Sequence, residues 1–439
     1  VLSEVADGRR LTPHAVQGMS TVACAQRFVS PRGEALFGTG QFQDGVLNVR
    51  GLTRRLTQVN TQIASPMITS NRGYALLWNN YGLTDFNPST ASVTLQPMQG
   101  EGKEVTVDVT STTGNKRETR RTNAFEARFS VEREGQYAIL LDVGQRMGRK
   151  HNISIDDVVL TDCNNLWLPP TTSVMTYLTA GEHHVVVEGD RGDHPVVSWR
   201  LNTDETEFRS PVSCGIDYTV FAGSADQCIA TYRRVSGGMP MMPRWALGYI
   251  HCRERYDTQQ ELLENANEFR RRGIPVDVIV QDWQWWGKHG WNAMRWDEDK
   301  YPDPKAMIDS LHRMDMRLML SVWSKVDKGS ELGRDIEQKG YYIPGTDWID
   351  FFNPDAAAYY WQCSNERLQQ PYGIDALWQD ATEPENDDLL ERRVNGGKWP
   401  GELVRNVYPL MVNDAVYKGW RRDIADRRPM ILTRSGCPG

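Results

Sequence analysis

The stretch Ile374-Asp-Ala-Leu-Trp-Gln-Asp-Ala-Thr-Glu-Pro-Glu385 governs how the second half of the chain is read. A short apolar run, Ile374 to Leu377, is bounded by turn residues and delivers two carboxylates, Asp380 and Glu383, three positions apart. A buried parallel strand ends this way, with its first polar side chains emerging at the C-terminal edge of a sheet. In barrel enzymes that edge carries the catalytic groups. The same letters also suit a helix start, with Asp380 as cap and Glu383 closing a capping box. The neighbouring segments favour the strand.

After Pro243 the chain alternates strand and helix. Ala246-Leu-Gly-Tyr-Ile250 reads as a strand. A helix opens at Asp257-Thr-Gln-Gln260, buries Leu262, Leu263, Ala266 and Phe269 on one face and ends at Gly273. Val276 to Val280 is the next strand, running into Gln281-Asp282-Trp283. A helix over 304–314 precedes the strand Leu318-Met-Leu-Ser-Val322, which ends in Trp323-Ser324-Lys325. Helices near 354–370 and 402–424 lead into the opening stretch and into Met430-Ile-Leu-Thr433 with Arg434. Five such strands indicate a βα barrel or a doubly wound sheet. A complete eight-stranded barrel needs ~250 residues, so the count implies that only the first part of a barrel lies within residue 439.

The first half reads as β structure. Residues 1–92 contain short runs such as Gly73-Tyr-Ala-Leu-Leu-Trp78 between Gly, Asn and Pro, and 206–240 returns to that character at Ile216-Asp-Tyr-Thr-Val-Phe221 before a short helical segment. Between them, 93–205 shows period-two alternation at Phe125, Ala127, Phe129 and Val131 and at Tyr137, Ile139, Leu141 and Val143. The expected architecture is multidomain, all-β followed by α/β: an N-terminal β-sandwich (1–92 and 206–240), an inserted β-sandwich (93–205), and the first five strands of a (β/α)8 barrel (241–439).

A net charge of −7 and the lack of a Lys/Arg run argue against a nucleic-acid partner. No run reaches the ~18 apolar residues of a membrane span. Seven Cys show no CxxC or zinc-ligand spacing, and His183-His184 reads as a strand edge, so no metal is expected. No GxGxxG or Walker loop follows a strand, and no other cofactor is indicated. His251-Cys252 point to opposite faces of a strand, which disfavours a Cys–His nucleophile. Arg191-Gly-Asp193 and Asn152-Ile-Ser154 are short motifs of low specificity. Fifteen Trp and sixteen Tyr suit either core packing or the apolar faces of sugar rings.

Strand ends gather Asp282 with Trp283, Trp323 with Lys325, Asp380 after Trp378, and Arg434. Carboxylates for nucleophilic or acid/base work, a guanidinium for hydroxyls and indoles for stacking are what a sugar site requires. The structural alternatives are an Asp282–Arg434 salt bridge across a barrel rim and plain core packing of Trp323.

Trp378-Gln-Asp-Ala-Thr-Glu-Pro384 resembles the nucleophile motif of glycoside hydrolase family 31, the retaining α-glucosidases and α-xylosidases. Leu36-Phe-Gly-Thr-Gly-Gln41, Met242-Pro-Arg-Trp-Ala-Leu-Gly-Tyr249, Val278-Ile-Val-Gln-Asp282 with Tyr301-Pro-Asp-Pro304, and Pro429-Met-Ile-Leu-Thr-Arg-Ser435 are similar to further family motifs in the family's order. The insert resembles the protective-antigen-type (PA14-like) sandwich of some α-xylosidases, and the first sandwich the galactose-mutarotase-like domain. The resemblance implies Asp380 as nucleophile and Glu383 in support. It implies Asp282 and Arg434 as binders of sugar hydroxyls, with Trp323 and Trp378 shaping the subsite. It places the acid/base Asp beyond residue 439, so the fragment alone is expected to be inactive. Trp283 beside Asp282, if it crowds the exocyclic position, favours xylose over glucose. The implied partner is an oligosaccharide of xyloglucan type. An α-glucosidase or transglucosylase, and a non-catalytic carbohydrate-binding protein on a degenerate barrel, are the competing readings.

Overall fold

The computed structural model describes residues 2–100, 102–111, 114–386 and 389–438. The N-terminal part is almost entirely β. A five-stranded sheet runs in the order Glu4–Val16, Met19–Val29, Glu205–Ser213, Thr84–Phe86, Arg54–Leu56, and a four-stranded one in the order Tyr218–Ala222, Tyr74–Trp78, Ile63–Ser70, Leu36–Gln41. Cys24, Phe28, Leu36, Ile68, Trp78, Phe86 and Phe208 form one core shared by strands of both sheets. Strand Ile63–Ser70 buries every second residue, as a strand with one covered face must.

The strands from Ala91 to Leu201 pair only among themselves, in one sheet of six and one of four. They enclose a second core built on Phe125, Phe129, Tyr137, Ile139, Leu141, Val185, Val187 and Val197. The chain then re-enters the first unit through Glu205–Ser213. His183 and His184 lie on strand Gly181–Asp190, where they pair with Phe129 and Arg128 of one neighbour, while the register with the other neighbour ends at Val185. Each meets a carboxylate, the buried His183 with Asp156 at 2.6 Å and the partly exposed His184 with Glu126 at 2.8 Å. Among the described residues no cluster of His, Cys, Asp and Glu could hold a metal ion. The RGD carboxylate is turned inward, where Asp193 accepts the Asp190 amide. None of the seven cysteines is joined in a disulfide. Among the described residues no helix is long and apolar enough to cross a membrane.

The second half carries a five-stranded parallel sheet in sequence order: Ile250–His251, Val278–Gln281, Arg317–Trp323, Ala376–Asp380 and Ile431–Thr433. Both faces of the inner strands are buried, and they divide the residues by parity. Ile279, Leu318, Leu320, Val322 and Leu377 share one core with helical residues such as Leu262, Met307, Ile308, Leu311, Trp361 and Trp420. Val278, Val280, Met319 and Ala376 form a smaller cluster on the opposite face, with Trp378 partly buried against it. Near-continuous apolar strands of this kind are the mark of a parallel sheet covered on both sides.

Helix starts follow their caps. Thr258 accepts the Glu261 amide, Asp303 the Ala306 amide ahead of Pro304, and Ser330 the Gly333 amide. The expected strand over 246–250 is not formed. Arg244–Leu247 is a 3-10 turn after Pro243, and only Ile250–His251 pairs. Trp245 and Ala246 pack onto the Val278 and Val280 face instead, so this apolar run buries its side chains without joining the ladder. The helix near 354–370 is Pro354–Ser364 followed by a π-helical turn at Asn365–Gln369, and the region near 402–424 is broken before its long helix Tyr408–Asp423. Helix Glu331–Gln338 was not anticipated.

Candidate active site

The opening stretch forms the fourth barrel strand. At its base the Asp375 carboxylate accepts the Leu318 amide and meets His312, fixing the strand against its neighbour. At its top Asp380 is the last residue, and 381–386 is a turn, which excludes the helix-cap reading. The Asp380 carboxylate accepts the amide of Ala381, which has φ 51°, and the chain turns back over the sheet edge. Thr382 ties that turn to the fifth strand by hydroxyl contacts to Thr433 at 3.1 Å and Ser435 at 2.7 Å.

Sheet register sets the rows. Ser321 lies opposite Trp378, Trp323 opposite Asp380, and Gln379 opposite Thr433, which puts Arg434 next to Asp380. The Arg434 guanidinium is the hub of the site. Its Nη1 is 3.1 Å from Asp380 Oδ1, its Nε and Nη2 donate to both oxygens of Glu383 at 2.8 and 3.1 Å, and Nη2 is 3.6 Å from Glu385. Glu383 is wholly buried, so its bidentate grip sets the plane of the guanidinium and leaves the outer edge facing Asp380.

Three carboxylates around one cation leave the site electronegative. Burial pushes the Asp380 carboxyl above its ordinary range, and the Arg434 charge works against that rise. Burial raises Glu385 in the same way. Burial also disfavours the Arg434 cation, but Glu383 and Asp380 outweigh it and hold the group protonated. Asp282, on the second strand's end, is pushed up to about 7, first by burial and further by the charges of Asp380 and Glu254. Its Oδ1 accepts the Trp283 amide at 2.8 Å. Below that pH it is a hydroxyl donor, above it an acceptor.

The indoles divide. Trp378 is half-buried on the same face of its strand as Asp380, two residues away. Trp323 is only 4% exposed and lies edge-on to Trp286 and Trp291 at 5.1 and 5.4 Å. Its core-packing role is therefore real, and little of its surface is left for a ligand. Trp283 is held edge-on by Trp291 at 5.7 Å with the Arg255 guanidinium 5.2 Å from its ring. Lys325 pairs with Asp347 at 3.4 Å. The alternative Asp282–Arg434 bridge is replaced by the three ion pairs with Asp380, Glu383 and Glu385.

Two contributors escaped the sequence reading. Glu385 ends the quoted stretch, and only its approach to Arg434 distinguishes it from a surface acid. Asn60, in the N-terminal part, donates to Glu385 at 3.0 Å from 325 positions away, a separation that leaves no local signal.

Residues 239–439 match the model of the glycosyl hydrolases family 31 TIM-barrel domain. An α-xylosidase of Saccharolobus solfataricus is 29% identical over 437 residues, covering 96% of this chain and 44% of its own length. α-Glucosidase 2 of Bacillus thermoamyloliquefaciens is 31% identical over 261 residues, covering 54% of this chain and 32% of its own. A family 31 α-xylosidase from Xanthomonas citri superposes over 100% of this chain and 54% of its own, with a TM-score of 0.81 at 27% identity. The chain thus spans about half or less of the length of these relatives. The family 31 match thus covers the part of the chain that holds Asp282, Asp380 and Arg434.

Proposed function

We propose that this chain supplies the nucleophile and the sugar-binding wall of a retaining α-glycosidase that removes terminal α-linked xylose from xyloglucan-type oligosaccharides. The observation that carries the reading is Asp380 at the C-terminal end of a parallel strand, 3.1 Å from an Arg434 that Glu383 holds from behind. A nucleophilic carboxylate must be ionised when the sugar arrives. Burial opposes that and Arg434 offsets part of the opposition, while a buried site also strips water from the attacking oxygen.

In the first step a carboxylate oxygen of Asp380 bonds to the anomeric carbon as the bond to the leaving oxygen breaks, and a general acid protonates that oxygen. In the second step the same residue, now a base, takes a proton from water, whose oxygen displaces Asp380 and restores the α configuration. Retaining enzymes hold the two carboxyls ~5–5.5 Å apart. Asp282, Glu383 and Glu385 are not assigned as that acid: Glu383 and Glu385 are engaged with Arg434, and Asp282 is assigned to substrate hydroxyls. Arg434 and Asp282 are assigned to ring hydroxyls, and Trp378 to the subsite wall.

The xylose preference is supported by the α-xylosidase relative that aligns over 96% of this chain and by the fixed position of Trp283 next to Asp282. If that indole crowds the exocyclic position it excludes a hydroxymethyl, and sterics exclude more sharply than one added group selects. The α-glucosidase reading has its own support in the 31% identical relative. We assign 1–92 with 206–240 to a galactose-mutarotase-like domain and 93–205 to a PA14-like insert.

The test compares hydrolysis of aryl α-xyloside and aryl α-glucoside by the full-length protein, with Asp380→Ala as control. A xyloside preference abolished by the substitution is expected. A glucoside preference overturns the specificity argument and keeps the nucleophile. Turnover that survives Asp380→Ala, or none on either substrate, overturns the mechanism in favour of a carbohydrate-binding protein.

A further inference from the structure

The N-terminal β unit reaches the catalytic edge at the tight turn Val59-Asn60-Thr61-Gln62, closed by a bridge between Val59 and Gln62 with Thr61 at φ 68°. The Asn60 amide nitrogen donates to the Glu385 carbonyl at 2.9 Å and its side-chain Nδ2 to Glu385 Oε1 at 3.0 Å. That same Oε1 is the atom 3.6 Å from Arg434 Nη2. Asn60 is 6% exposed, while the Glu385 side chain keeps 31% of its surface in solvent, so the contact is partly shielded from water.

The turn itself is fixed from the barrel side. The Gln58 amide donates to Asn406 Oδ1 at 3.1 Å, and the Gln58 side chain donates to the Gly436 carbonyl at 2.6 Å. Asn406 in turn donates to the carbonyls of Leu56 and Gly82 at 2.9 and 2.8 Å. Gln58 and Asn60 therefore bracket Arg434 along the chain, one holding the backbone two residues after it and the other holding its third acceptor. A side-chain amide pointed at a partly buried carboxylate favours the ionised form, and an ionised Glu385 keeps a partner on the side of Arg434 away from Asp380.

We propose that Asn60 is a positioning residue of the active site, acting through Glu385 to hold Arg434 in the orientation that serves Asp380. The proposal rests on the glycosidase reading above. It makes the N-terminal unit part of the catalytic apparatus, because one residue of a turn in it sets the geometry of a guanidinium just after the fifth barrel strand. Asn60 itself touches no reacting atom.

The experiment is a double-mutant cycle in the full-length protein with Asn60→Ala, Glu385→Gln and both together, read as kcat and KM on aryl α-xyloside and aryl α-glucoside across pH. Gln62→Ala is the structural control, since its side chain braces the same turn on the Arg55 and Thr57 carbonyls and does not contact Glu385. The expected result is a roughly 10-fold loss of kcat/KM for Asn60→Ala, the size of one hydrogen bond to a charged group. The acid limb of its pH profile moves to higher pH, since a Glu385 without its donor protonates sooner. In the Glu385→Gln background Asn60→Ala adds nothing. Asn60→Asp, which keeps the size, loses the donor and sets a like charge beside Glu385, loses at least as much as Asn60→Ala. Multiplicative losses in the double variant, or an unshifted pH profile with an effect matched by Gln62→Ala, overturn the proposal while leaving the glycosidase reading intact. Wild-type protein inactive on both glycosides overturns that reading and the positioning role together.

Discussion

Replacing Arg434 with Met keeps most of the side chain's volume and removes the one cation among Asp380, Glu383 and Glu385. At ~3 Å and an effective dielectric of ~20, each close pair is worth about 5 kcal/mol before desolvation is subtracted. Removing one partner of a buried pair costs a net ~3–5 kcal/mol, because the stranded charge stays buried. Arg434 keeps 25% of its side-chain surface in solvent, which argues for the lower end, about 3 kcal/mol. The sign with pH follows from the carboxyls. Asp380 and Glu385 already titrate above their ordinary range in the folded state, and loss of Arg434 raises them further. A raised carboxyl contributes stability below its unfolded pKa and loses it as pH rises through the folded value. The deficit of Arg434→Met against wild type is therefore small near pH 4 and full by pH 8. Urea unfolding followed by tryptophan emission reads it, since Trp283, Trp323 and Trp378 surround the strand ends. A deficit below ~1 kcal/mol at pH 8, or one equal at both pH values, refutes the ion-pair account of the site.

Further outcomes follow from other positions. Asp282 rises from 3.8 to about 7, which at 1.36 kcal/mol per unit is about 4 kcal/mol of stability present below about pH 4 and lost as pH passes 7. Asp282→Asn should flatten the fall in melting temperature between pH 5 and 8.5, and an unchanged slope contradicts the assignment. Asp375→Ala strands the Leu318 amide and the His312 ring at the opposite end of the same strand, so it should cost ~1–3 kcal/mol in unfolding while leaving KM unchanged. A changed KM there would mean that the sheet does not separate its stable and reactive ends. Gly419→Ala gains up to ~1 kcal/mol of helix propensity within Tyr408–Asp423. However, the new Cβ would meet the Trp361 indole at 2.3 Å, and overpacking of that kind costs ~1–3 kcal/mol or more. A lowered melting temperature is expected, and a raised one would show that the Trp361 pocket can yield.

The physical basis of each sequence expectation explains where it held. Strand ends were legible because a parallel strand buried on both faces is an apolar run that stops abruptly, and Val278–Gln281, Arg317–Trp323 and Ala376–Asp380 stop at Asp282, Ser324 and the turn after Asp380. Helix starts at Gln259, Pro304 and Pro354 were legible through Thr258, Asp303 and Asn353, whose capping bonds span two or three residues. The 244–250 segment misled because an apolar run only demands burial. Here Trp245 and Ala246 find it against Val278 and Val280, and pairing is left to Ile250 and His251.

The sequence by itself determined which residues lie at strand ends, since that depends on local apolar pattern and turn chemistry within a few positions. It placed Asp380, Asp282 and Arg434 at one edge of one sheet and joined them to a family. Only the tertiary structure decided how those groups meet. Register set Arg434 beside Asp380, and the turn after Asp380 brought Glu383 behind the guanidinium. Burial then raised Asp282, and a turn 325 residues away supplied Asn60 to Glu385. Electrostatic energy depends on separation and on the water displaced between charges, and neither quantity is written in the order of the residues.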